Sequence, residues 1–134
     1  MEYSHMHKDK VLFYLIKNHK PELYEEIDFK NMLQETELSK EMISIVLTYF
    51  QRIGFVSEVN LQYNSPVIYI IIHTELFDFG NRGGFRVHEE FFKKEIEKLL
   101  LEIESLRPSL GDKIEQFTTI VNNLASTARS FMPY

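Results

Sequence analysis

The sequence predicts an α+β chain, mainly helical, and three observations lead there. Three short segments with helical apolar spacing fill residues 8 to 53. Two β-branched runs, Phe55 to Tyr63 and Val67 to His73, follow around the turn-forming Asn64, Ser65 and Pro66. Beyond a glycine cluster the chain returns to long amphipathic helix.

The elements follow in chain order. Val11, Leu12, Leu15 and Ile16 line one face of a first helix, Lys8 to His19, which Pro21 cannot continue. After a turn from Pro21 to Glu26, Asp28 caps a short second helix, Phe29 to Glu35, with Phe29, Met32 and Leu33 inward. Ser39 caps a third helix from Lys40 to Ile53, whose Ile43, Val46, Leu47, Phe50 and Ile53 share one side, and Gly54 ends it in the left-handed conformation. In Val67 to Ile72 the polar alternation disappears, which predicts a strand covered on both faces.

Gly80, Asn81, Arg82, Gly83 and Gly84 hold three of the five glycines and are read as a bend or linker. The expected organisation is a domain over residues 1–79, a glycine-rich linker over 80–86 and a helical arm over 87–134, broken near 107–111 by Pro108 and Gly111. Asp112 and Glu115 have the spacing of a capping-box variant that restarts the helix. The arm carries a seam at Phe92, Ile96, Leu99, Ile103 and Leu106, resumed at Ile114, Phe117, Val121 and Leu124 and continued by Ala128 and Phe131. Its alternating steps of four and three suit a coiled-coil contact, so a homodimer is expected through it; an intramolecular helical hairpin is the alternative.

Composition narrows the function classes. With 134 residues, 44% hydrophobic and 26% charged, the chain fits one domain plus an appendage. No apolar run approaches a membrane span and the first ten residues are polar, so a cytoplasmic location is expected. The absence of cysteine excludes thiol nucleophiles and thiolate metal sites. His5 and His7 lack partner carboxylates at a fixed helical offset, and His19, His73 and His88 are isolated in sequence, so neither a metal nor a catalytic site is expected. The glycine segment lacks the Lys and Ser or Thr of a phosphate loop, so no cofactor is expected and the chain reads as non-enzymatic.

Leu33, Leu38, Ser39, Ile43, Leu47 and Phe50, followed by Gly54, Phe55 and Val56 at the exit into the first strand, form a pattern found in many bacterial regulators. Over about Lys8 to Thr74 the chain resembles the winged-helix superfamily of helix-turn-helix proteins. The stretch from Thr74 through Phe79 to Gly83, Gly84 and Phe85 is also similar to small bacterial winged-helix proteins of unknown function, which implies no chemistry. The superfamily resemblance implies a third helix in the DNA major groove and a hairpin tip near the phosphates.

At about 100° per residue, the third helix turns Glu41, Ile45, Thr48 and Arg52 away from its core side, with Ser44 and Gln51 on the flank. Ser44, Thr48, Gln51 and Arg52 are the expected base or phosphate contacts, with Lys30, Lys40 and Asn64 as further phosphate contacts. Double-stranded DNA is the expected partner; a protein partner engaging Ile45 and Tyr49 is the alternative. The formal net charge of -5 weighs against non-specific nucleic-acid binding. So does the tip from Leu61 to Ser65, which has no Lys or Arg and offers only neutral groups from Gln62, Tyr63, Asn64 and Ser65.

Overall fold

A computed structural model describes the backbone of residues 4–61 and 64–131, and the side chains as far as residue 126. The order is α1 (His5–Asn18), β1 (Tyr24–Asp28), α2 (Phe29–Thr36), α3 (Lys40–Arg52), β2 (Val56–Asn60), β3 (Val67–Ile72), α4 (Thr74–Asn81), α5 (Gly84–Ser105), α6 (Arg107–Leu110) and α7 (Ile114–Phe131). The fold is α+β and mainly helical, with one three-stranded antiparallel sheet. By its packing the chain divides into Met1–Arg86 and Val87–Tyr134.

In the first unit, the expected caps close the second and third helices. Asp28 Oδ1 accepts the Lys30 amide at 3.1 Å, and Ser39 Oγ accepts that of Met42 at 3.1 Å, each satisfying a donor the helix start leaves unpaired. Glu37, at φ 57°, ends α2 in the left-handed region, and the buried Thr36 hydroxyl donates to the Met32 carbonyl at 2.6 Å. Ile43, Val46, Leu47 and Phe50 of α3 are buried in the same core as Val11, Leu12 and Leu15 of α1, as their spacing predicts. The first helix starts earlier than expected, at His5, where the Ser4 amide donates to His7 Nδ1 at 3.1 Å.

The sheet contains a strand the sequence reading placed in a turn. In β1, Tyr24 to Asp28, only Ile27 is buried, so three acidic residues masked it as a loop. Backbone pairing with β3 makes it an edge strand, Ile27 opposite Ile68, and its charges suit an edge that must not recruit another chain. The sheet order β1-β3-β2 puts β3 in the centre. The expectation that β3 is covered on both faces is corrected here: Ile68, Ile70 and Ile72 are buried, whereas Val67, Tyr69 and Ile71 lie on a half-exposed face, where Tyr69 stacks on Tyr24 at 5.6 Å. The lost alternation reflects lateral pairing on both edges, not burial on both faces. The pairing of β2 with β3 slips between Ser57 and Asn60, where Glu58 adopts φ 52°.

The expected 80–86 linker is not a linker. Thr74 to Asn81 forms α4, which packs on α1, and the buried Gly80 leaves room there for the Ile16 side chain, which a Cβ would meet. Gly83 and Gly84, at φ 110° and 79°, make the corner into α5. A side chain at Gly84 would also meet Asp9 Oδ1 at 2.6 Å, and that carboxylate is in use: it accepts the Phe85 amide at 2.7 Å and the Arg86 amide at 3.1 Å, capping α5 from a distant helix. Phe85 itself is fully buried, parallel to Phe50 at 5.8 Å and edge-on to Phe79 at 4.6 Å.

Burial also sets one titration. The Tyr14 hydroxyl donates to Asn31 Oδ1 at 2.8 Å, and desolvation, followed by the nearby charges of Glu35 and Asp28, pushes its pKa from 10.0 to about 12. A phenol whose pKa is higher in the fold than in the unfolded chain contributes stability that is complete below pH 10 and lost as the pH rises towards 12. Thermal midpoints measured across that window are expected to fall less steeply in Tyr14→Phe than in the parent chain; equal slopes would refute the assignment.

In the second unit the break at 107–111 is present but is itself folded. Pro108 lies in the first turn of α6, a position that tolerates its missing amide, and Gly111 turns the chain at φ 56°. Asp112, expected as a helix cap, sits inside a 3-10 turn over Gly111–Lys113. The seam divides by exposure. Ile114 is buried and Phe92, Ile96, Ile103 and Val121 are half-buried within the single chain, whereas Leu99, Leu106, Phe117 and Leu124 are exposed. Ala128 and Phe131 lie outside the described side chains.

Candidate nucleic-acid interface

The outer face of α3 is built from its core side outward. Burial of Ile43, Val46, Leu47 and Phe50 fixes the rotation of the helix, which leaves Thr48, Gln51 and Arg52 exposed and Ser44 half-buried at the margin. Ser44, Ile45, Thr48, Tyr49 and Arg52 line one shallow concavity of about 340 Å³. Ile45, 46% exposed, is an apolar centre with polar neighbours. Three of the expected contacts, Ser44, Thr48 and Arg52, are therefore brought together; Gln51 is exposed on the same helix but does not line the concavity.

Two cations organise this face through Tyr49. Lys8 Nζ lies 4.1 Å from the centre of the Tyr49 ring, and the Arg52 guanidinium carbon lies 5.3 Å from it. Burial raises the Tyr49 pKa, opposed by the Arg52 charge, so its hydroxyl stays protonated at neutral pH. Lys8 is itself buried, 5.3 Å from the Phe85 ring. This role for Lys8 is not among the expected contacts. The available signal was its place one turn before the apolar stripe at Leu12, where a long side chain lies along the core.

The remaining expected contacts are dispersed. Lys30 is exposed at the start of α2. The exposed Lys40 places its Nζ 5.5 Å from the Phe29 ring. Asn64 is exposed in the connection between β2 and β3, while Gln62 and Tyr63 lie outside the described residues. A larger open cavity of about 460 Å³ is lined by residues that include Met6, Phe13, Tyr14, Lys17 and Thr36. It also includes Asp9, whose carboxylate is committed to the amides that begin α5, and mixes Lys10, Lys17 and Arg86 with Glu35 and Glu37, so charges of both signs line it.

No helix among the described residues is long and apolar enough to cross a membrane. Comparison with protein-family models, curated proteins and solved structures finds no match for the chain. The functional reading therefore rests on the residues themselves.

Proposed function

We propose that the chain is a non-enzymatic DNA-binding regulator of the winged-helix type, acting as a homodimer. The observation that carries this reading is that α3 holds Ser44, Thr48 and Arg52 around one concave outer face, with Gln51 exposed beside them. This helix is followed directly by the antiparallel pair β2 and β3. A helix of that kind fits a major groove, where hydroxyls and a guanidinium meet base edges or phosphates and Ile45 meets a thymine methyl. The net charge of -5 makes attraction to bulk DNA weak, so the reading is of a selective binder whose affinity comes from a few placed contacts.

The test is enrichment of genomic fragments by the full chain at increasing salt, followed by anisotropy on the enriched sequence. Enrichment of one or a few sites that weaken as salt rises supports the reading. Arg52→Ala is expected to reduce affinity for such a site by about 5- to 150-fold, the 1–3 kcal/mol of one good base contact. Uniform recovery of all fragments, or none, would overturn the proposal.

A second reading is favoured by one observation: the exposed Ile45 lies against Tyr49 in the same concavity, the form of an apolar anchor site for another protein. Ile45→Asp discriminates between them only together with the DNA enrichment, because a new carboxylate on this face would also repel phosphates. Loss of partner capture in this variant, where the parent chain enriches no DNA site, supports the second reading; partner capture and DNA binding both unchanged support neither.

A further inference from the structure

Glu22 lies 51 residues before His73, which is itself two residues before Glu75, and the fold gathers the three at the start of α4, with one ligand-type atom from each within 4.8 Å of the others. The chain before β1 reaches this point because Glu22 donates its amide to the Ile72 carbonyl at 2.7 Å while holding φ 61°, a conformation costly for a side-chain-bearing residue. Its carboxylate is fixed from two sides. Oε2 accepts the Thr74 amide at 2.7 Å and the Thr74 hydroxyl at 3.1 Å, and Oε1 lies 3.0 Å from His73 Nδ1. The other ring nitrogen of His73, Nε2, lies 2.8 Å from Ser57 Oγ on β2.

We propose that Glu22, His73 and Glu75 form a divalent transition-metal site, with zinc the best-suited ion. Imidazole and carboxylate are donors that zinc accepts, and the formal charge of two carboxylates and a neutral imidazole balances a divalent cation. Tetrahedral zinc with bonds of about 2.0–2.1 Å places neighbouring ligand atoms about 3.4 Å apart. The Glu22 and His73 atoms already stand at 3.0 Å, so the pair is close to ligating geometry. Glu75 is exposed on the first turn of α4 and closes the remaining distance by side-chain rotation.

Ser57 supplies the outer support a ligating histidine needs. In the metal-free chain each ring nitrogen of His73 has a partner, Nδ1 facing Glu22 and Nε2 facing Ser57. When zinc takes the Nδ1 lone pair, the ring remains neutral by carrying its proton on Nε2, which then donates to Ser57 Oγ. That arrangement fixes the tautomer and ring orientation. A water completes the fourth position. Such an ion would tie the turn before β1 to the start of α4, an effect independent of what α3 recognises.

The experiment is calorimetric titration of the metal-free full chain with zinc chloride, with thermal unfolding recorded in parallel. One zinc per chain and a rise in the unfolding midpoint are expected. Glu75→Ala is expected to weaken binding by about tenfold or more while leaving the metal-free midpoint within a degree or so, since substitutions at exposed positions are usually near neutral. His73→Ala abolishes binding, and the double variant His5→Ala, His7→Ala binds as the parent does. Absence of binding at about 100 µM zinc overturns the proposal, as does unaltered affinity in Glu75→Ala; the latter variant decides the matter even if His73→Ala does not fold.

Discussion

Phe85→Ala is expected to destabilise the first unit by about 3–5 kcal/mol, the range for removing a fully buried phenylalanine together with the cavity it leaves. The ring has no solvent exposure and lies in one aromatic cluster with Phe50, Phe55 and Phe79. Its neighbours come from α3, the residue before β2 and α4, so their collapse into the vacated volume would require three segments to shift together. A domain with about 5–15 kcal/mol of total stability loses much of it to such a change. Phe13, 43% exposed on α1, provides the contrast: Phe13→Ala is expected to change stability by only about 0.5 kcal/mol. Urea unfolding of the two variants measures both, and a Phe85→Ala midpoint no lower than that of Phe13→Ala would refute the central place given to this ring.

The second large effect concerns the proposed homodimer. Leu99 and Leu124 are 44% and 60% exposed in the single chain, whereas Ile114 in the same seam is buried. An isologous interface buries each leucine twice. At about 1.5 kcal/mol for the smaller estimate of fully burying such a side chain, of which about half remains exposed, each position contributes about 1.5 kcal/mol to association, or about tenfold in affinity. The double variant Leu99→Glu, Leu124→Glu also places like charges across the two-fold axis and is expected to be monomeric at concentrations where the parent is dimeric. Light scattering over the micromolar range reads this directly. A parent chain that is already monomeric there, or a double variant that remains dimeric, would remove the seam from the assembly.

The residues legible in sequence are those whose role is local. Asp28 and Ser39 cap helices because a carboxylate or hydroxyl before a helical run reaches an amide two or three residues on. Ile43, Val46, Leu47 and Phe50 face inward because their spacing leaves no other face for them. The outer positions of α3 follow from the same rotation, which sets Ser44, Thr48 and Arg52 around one concavity.

What stayed hidden depends on partners distant in sequence. The edge strand Tyr24 to Asp28 has a single buried side chain and exists through its backbone bonds to β3, about forty residues away, which leave no apolar period to read. Gly80 and Gly84 looked like chain breakers, yet the first admits α1 and the second admits Asp9, close approaches that only the packing reveals. His73 appeared isolated because its neighbours Glu22 and Ser57 come from other strands and turns. By itself, then, the sequence determined the first three helices, the caps at Asp28 and Ser39 and the side of α3 that faces out, since those follow from bonds and periodicities within a few residues. Only the tertiary structure decided the third strand, the buried corner at Phe85 and the cluster at Glu22, His73 and Glu75, because each is made by groups that meet only after the chain has folded back on itself.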